Sequence, residues 1–217
     1  MDATLAGREF RAPSGTRSAG RRPAADDGVL ARLQLLHAID DALLSAESVG
    51  AVAAAAVRLL RDIAGVDRAA LWAWVPEAAE GRLLAAAPPA DPPMAGRAAP
   101  IQDVPATLIE RLVRGELVQL DRAVDGEVMT ALPTLPAWAR TWCAIPLVDG
   151  DGALGAITLV QRRGSPIDPV TIAVLRSAGA HVATALRRVQ LREQLRIASE
   201  RTAVILESSP IGILIAG

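Results

Sequence analysis

The chain has no lysine, no asparagine and no tyrosine, and only one phenylalanine, one cysteine and two histidines. Most of these shortages exclude something. A lone cysteine, Cys143, cannot close an internal disulfide and fits a reducing compartment. His37 and His181 lie far apart in sequence, and with a single cysteine they offer no metal-ligand spacing. With no lysine, all 23 basic residues are arginine. Together with the heavy use of alanine, this reflects the coding bias of a GC-rich bacterial genome, not a functional signature. The net charge of −1 gives no global field to steer nucleic acid or an anionic membrane towards the chain. No window approaches the roughly 18 uninterrupted apolar residues of a membrane span. The N-terminus, with Arg8, Glu9 and Arg11, lacks a signal-peptide apolar region. The expectation is a cytoplasmic chain.

What is present is organised around Thr141–Gln161. Two apolar runs, Trp142–Val148 and Ala153–Val160, flank Asp149-Gly150-Asp151-Gly152, and Asp-Gly pairs favour tight hairpin turns. Apolar residues at nearly every position imply strands buried on both faces. The same stretch contains Gly150-x-Gly152-x-x-Gly155, the spacing of a dinucleotide fingerprint. That fingerprint requires the glycines to open a helix, whose amides hold the pyrophosphate. Here the β-branched run Ala156–Val160 follows, so the glycines shape a hairpin.

Residues 1–28, rich in Gly, Pro, Ser, Ala and Arg without an apolar period, read as a disordered tail. From there Val29, Leu33, Leu36, Asp40 and Leu43 recur at helical spacing. A second helix has Ser48 as N-cap, Val52, Ala56, Leu59 and Ile63 along one face, and Gly65 as its stop. A strand over Asp67–Val75, a turn at Glu80-Gly81 and a strand over Arg82–Ala87 follow. A Pro-rich stretch then allows one short edge strand near Arg97–Ile101. Next come a short helix over Pro105–Arg114, a strand over Glu116–Asp121, and Arg122–Arg140 as loop with one helical turn, limited by Pro133 and Pro136.

After the hairpin, Asp168 caps a helix with Pro169 at its first position and no breaker before Pro210. Such a helix extends about 60 Å, roughly twice a small domain's width. Its apolar stripe runs through Leu175, Ala178, Val182, Ala185 and Val189. It then shifts to a seam of Leu191, Leu195, Ala198, Thr202 and Ile205, with the spacing of a coiled coil. A helix that leaves its domain and pairs with a second copy has this pattern. The alternative is a solvated helix that frays.

The order of elements resembles a GAF domain, a small-molecule sensory module of bacterial signalling proteins, over about Leu30–Val189. The residues that carry the likeness are Val66–Trp72, Leu108–Val118, Ala144–Leu147, Leu154–Leu159 and Ala178–Leu186. The tail Ile205–Ile215 resembles the opening of a PAS domain. The domain reading is therefore 1–28 tail, 29–189 GAF-like domain, 190–207 helical linker and 208–217 truncated PAS start. The fold class is α/β (α+β): an antiparallel sheet of five or six strands with flanking helices and a long C-terminal signalling helix. The hairpin is expected at the centre beside the first strand, with the first, second and C-terminal helices on one face and the ligand side on the other.

The resemblance implies a ligand site under the loops on one face of the sheet, and each known ligand class requires its own residues. Cyclic-nucleotide binders carry an Asn-Lys…Phe…Asp-Glu set, whereas the matching Gln161–Asp168 has no Asn, Lys or Phe. Bilin binders use a Cys-His pair, but Cys143 precedes Ala144 within a strand. Haem would depend on His181, and sulfoxide reduction on several cysteines. No Ser/His/Asp order or P-loop is present, so no catalysis is expected within these residues. What remains is tryptophan. Trp72 and Trp74 share one strand face, and Trp138 and Trp142 flank the hairpin entry with Met129 nearby. These five either fill the core of an Ala-rich protein or wall a pocket for a small planar ligand of unknown identity, with Arg122–Arg140 as its lid. An open cavity of a few hundred Å³ would favour the pocket, and solidly packed tryptophans the core.

Two functional readings follow. In the first, the chain is the sensory input module of a larger signalling protein, foremost a sensor histidine kinase. It senses a small ligand, relays the change through the C-terminal helix and forms a homodimer through its terminal helices. In the second, it is a ligand-free structural or dimerisation module in a cyclase, phosphatase or other signalling protein. Neither reading involves nucleic acid or a membrane contact.

Overall fold

The computed structural model describes residues 37, 39–89, 96, 98–132, 134–150, 152–164 and 166–208. The expected N-terminal tail, the first part of the first helix and the PAS-like strand at the C-terminus lie outside these residues.

Residues 37 and 39–44 are the described part of a helix, α1. They lead to α2 (Val49–Ala64), for which Ser48 caps the first turn by accepting a hydrogen bond from the Ala51 amide. Gly65 ends α2 in the left-handed conformation, as expected of a C-terminal glycine. The buried face of α2 is Val52, Ala53, Ala56, Val57 and Leu60. Leu59 and Ile63, expected on that face, are only partly buried. Small alanines let α2 sit close to its neighbours and turn its stripe by about one position.

The chain then forms β1 (Arg68–Val75) and β2 (Glu80–Ala87). Their turn falls earlier than expected. Pro76 opens a single 3₁₀ turn, Ala79 takes a left-handed φ of 52°, and Glu80 and Gly81 already pair with Val75 and Trp74. The short edge strand β3 (Ala98–Pro100), α3 (Ala106–Val113) and β4 (Val118–Asp121) come next. The segment expected as loop with one helical turn instead contains α4 (Arg122–Thr130), two turns kinked at Asp125. Its start is set by side chains that apolar spacing does not reveal. Asp121 accepts from the Ala123 amide at 2.8 Å, and Asp125 accepts from the Asp121 amide at 2.9 Å. Pro136 falls after α4 has ended.

The hairpin is β5 (Thr141–Asp149) and β6 (Gly152–Gln161), closed by the two residues between Asp149 and Gly152. Positive φ angles fall at Gly152 and Gly155, not at Gly150. All six strands join one antiparallel sheet in the order β3-β2-β1-β6-β5-β4, with the hairpin beside β1 as expected. Pro146 lies beyond Ala144, where β4 has already ended, so a strand proline is tolerated there.

Side-chain alternation sorts the sheet into two cores. Leu71, Cys143, Ile145, Leu147, Ile157 and Leu159 face α1, α2 and the long helix α5 (Pro169–Ser208). Val118, Leu120, Trp142, Ala144, Ala156 and Val160 face α3, α4 and the loop after it. Two glycines permit the closest approaches. A Cβ on Gly155 would lie 2.0 Å from the Trp72 carbonyl oxygen in β1, and one on Gly179 in α5 would lie 2.6 Å from Ile145 in β5.

Asp168 caps α5, accepting from the Val170 and Thr171 amides and from the Thr171 hydroxyl, which together hold its carboxyl below the usual range. Through Val189 the helix buries Leu175, Ala178, Val182, Ala183, Leu186 and Val189. From Leu191 to Val204 every residue is exposed, so the helix leaves the domain where its stripe shifts. By length and composition α5 is apolar enough to cross a membrane, with a mean hydropathy of 1.2 in its most apolar window. Much of that apolar surface is the face packed on the sheet.

Gly155→Ala is expected to destabilise the domain by about 3 kcal/mol or more, because both backbone strands must shift and the φ is unfavourable. Gly50→Ala in α2, with open space around it, should stabilise by about 0.5–1 kcal/mol. Urea denaturation of the two variants checks the pair.

Candidate functional site

The lid face of the sheet is built in rows. Arg68, Ala70, Trp72 and Trp74 alternate onto this face of β1. Across the ladders Arg68 lies beside Val160 and then Trp142, Ala70 beside Thr158, and Trp72 beside Ala156. The middle of the floor is thus small, while tryptophans stand at either end. Nothing on the sheet fills the gap over Ala70, Thr158 and Ala156, and a hollow of about 110 Å³ results.

The roof comes from three places. Ile109 and Leu112 project from α3, Ile101 and Val104 from the chain before it, and Leu132, Thr134, Leu135 and Pro136 from the loop after α4. That loop is tied down at its base. The Arg122 amide donates to the Arg140 carbonyl at 2.9 Å, the Arg122 Nε donates to the Ala139 carbonyl at 2.6 Å, and the Arg140 amide donates to the Gln161 carbonyl at 2.7 Å. Met129 and Leu132, both buried, pin the excursion onto the sheet.

Of the five residues expected around a ligand, Trp72, Trp74 and Trp142 line the hollow. Met129 is 1% exposed within the apolar cluster and anchors the lid instead. Trp138 packs against the edge of that cluster with the Arg162 guanidinium 4.7 Å from its ring centre, a cation–π contact. Spacing along a loop does not tell which way a side chain points, so neither position was resolvable from sequence. Arg68 and Thr134 were missed. For Arg68 a signal existed, since it shares the two-residue alternation with Trp72 and Trp74.

The hollow lies between the two outcomes set for it. The tryptophans are not packed solid, yet the volume is below the roughly 300 Å³ at which drug-sized ligand sites begin. It is of the order of the ~150 Å³ cavity that holds a benzene ring. Among the described residues the lining is apolar apart from Arg68, Thr134 and Thr158, with no Asp or Glu.

The remaining reactive groups are committed elsewhere. Cys143 lies on the opposite face, and burial pushes its thiol up to about 12. The Nδ1 of His181 shares a hydrogen bond with the Asp40 carboxylate, joining α5 to α1. Among the described residues no group of His, Cys, Asp and Glu could hold a metal ion.

A six-stranded antiparallel sheet with a long terminal helix on one face and a lidded hollow on the other defines a small α/β domain of the sensory type. The GAF domain family model matches residues 48–186, more than half of the chain, and the chain belongs to that family. Solved structures agree on the fold. The GAF domain of an Acinetobacter phosphoenolpyruvate-protein phosphotransferase is 15% identical with a TM-score of 0.64, over 74% of this chain and 95% of that one. The phycoerythrobilin-bound GAF domain of a cyanobacterial phytochrome is 15% identical with a TM-score of 0.63, over 75% and 97%. The photosensory core module of a Stigmatella aurantiaca phytochrome is 18% identical with a TM-score of 0.62, over 87% of this chain and 42% of that one. No curated protein sequence matches the chain.

The buried thiol yields a direct check. Cys143 should resist alkylation by iodoacetamide at pH 8 in the folded protein and react fully in urea. Rapid labelling of the native chain, followed by mass spectrometry, would contradict its placement.

Proposed function

We propose that the chain is the sensory input module of a cytoplasmic bacterial signal-transduction protein, foremost a sensor histidine kinase. A small ligand enters the hollow between the sheet and the lid, and α5 carries the change towards an output domain. The observation that supports this most is the continuity of the parts. Trp142 and Val160, on the strands of one hairpin, stand at the hollow, and β6 leads through Asp168 into α5. The exposed seam Leu191, Leu195 and Ala198 supports pairing of α5 with a second copy, and the PAS-like sequence at the end of the chain supports a following domain. The described N-terminal segment is clasped to the same helix, since Asp40 meets His181 and the Arg188 guanidinium donates to the Leu43 carbonyl at 2.7 Å. A dimer through the terminal helices therefore links both ends of the domain. The small volume of the hollow supports the second reading, in which the module binds nothing and serves to space and dimerise its neighbours.

Ligand binding is tested with single-ring aromatic compounds at millimolar concentration, followed by the emission of the native tryptophans. The wild-type chain should respond. Ala70→Leu, which fills the floor of the hollow, should lose the response and leave the fold intact. Hydrogen exchange in residues 191–204 should change on binding. A wild-type chain that responds to no compound favours the spacer, and binding without any change in α5 removes the relay.

Leu195, 70% exposed, tests the seam. The wild-type chain should sediment as a dimer at tens of micromolar, and Leu195→Glu should raise the dissociation constant at least tenfold. A monomeric wild-type chain would end the dimer reading.

A further inference from the structure

The hollow contains two polar groups that the fold itself does not use. Among the described residues Arg68 is the only charged one lining it, and no described Asp or Glu lines it to neutralise the guanidinium. Among the described residues neither Arg68 nor the Thr134 hydroxyl has a hydrogen-bond or ion-pair partner. The nearest acid in sequence, Asp67, is committed elsewhere, accepting the Arg162 amide at 2.6 Å. Thr158 has only a long bond of 3.4 Å to the Ala70 carbonyl. A half-buried cation facing an apolar hollow is poorly solvated, and an anion that replaces the missing water gains a charge-assisted bond.

The walls restrict the anion further. Arg68 and Trp72 are four residues apart on one strand, about 13 Å, with only Ala70 between them on that face. Trp142 stands in the same row as Arg68. A flat apolar body therefore fits over Ala70 and Thr158 between aromatic walls, while its charged end reaches the arginine. A single cation, with no second one among the described residues lining the hollow, matches one negative charge, and the planar guanidinium fork matches a carboxylate.

We propose that this hollow recognises a single-ring aromatic carboxylate, with the ring between Trp72 and Trp142, the carboxylate on Arg68, and the Thr134 hydroxyl closing over it from the lid. The inference rests on the sensory reading and specifies its ligand class. Because Arg68 belongs to the floor and Thr134 to the roof, a ligand held by both draws the lid onto the sheet.

The test titrates the full chain with benzoate and with its neutral isostere benzamide, monitored by tryptophan emission and calorimetry. Benzoate should bind roughly tenfold to a hundredfold more tightly than benzamide, the range of a charge-assisted bond. Arg68→Gln should bring benzoate down to the level of benzamide, while an unchanged circular dichroism spectrum and urea midpoint show that the variant is folded. Arg68→Lys should retain part of the preference. Equal binding of the two compounds, or an Arg68→Gln variant that still prefers benzoate, overturns the anionic assignment and leaves the sensory reading standing. Failure of both compounds to bind the wild-type chain overturns this inference together with the sensory cavity itself.

Discussion

Side chains along β5 and β6 are buried on both faces of the sheet, and they must alternate between two different cores. Cys143, Ile145 and Leu147 belong with the helices, while Trp142 and Ala144 belong with the lid. A slip of one residue would exchange the two sets and place Trp142 under α5. The register is therefore strongly specified, and two close approaches reinforce it. Gly155 brings β6 against the backbone of β1, and Gly179 brings α5 onto β5. Larger side chains at these points would separate the layers on which both cores depend.

This arrangement makes the sheet a shared wall. On one side α2 and α5 bury an aliphatic core, and burial pushes the interior thiol of Cys143 up. On the other, small residues in the middle of the floor leave room that the aromatic ends do not fill. The two sides communicate through few elements. The short connection after Gln161 leads from the last strand to the Asp168 cap of α5, and the Asp40–His181 and Arg188–Leu43 bonds fasten α1 to the same helix. Motion of α5 relative to the sheet is thus shared with the N-terminal side of the domain.

Much of the architecture was legible because its signals are local. The Asp-Gly turn, the Ser48 and Asp168 caps, the Gly65 stop and the shift in the α5 stripe are each decided within a few residues. The alternation of Trp72 and Trp74 likewise placed both on the correct face. What was not legible depends on partners distant in sequence. Leu60 replaces Leu59 in the core because of how α2 sits on its neighbours. The start of α4 depends on carboxylates that fold back onto the backbone, which hydrophobic spacing does not register. Met129 and Trp138 lie in a segment whose spacing does not give direction. The importance of Ala70 and Thr158 emerges only when β1 and β6 are laid side by side, since a hollow is defined by what is small in one row and large in the next.

The excursion from Arg122 to Arg140 leaves the sheet and returns to nearly the same point, with its two ends hydrogen-bonded to each other and to the end of β6. Closed at its base in this way, it behaves as a cassette. Its interior can be lengthened, shortened or exchanged with little demand on the strands that bear it, since the ends do not move apart. Much of the roof of the hollow comes from this cassette, whereas the helix core lies across the sheet. A lineage of such domains can therefore change what it binds by rewriting one loop, while the machinery beneath stays the same.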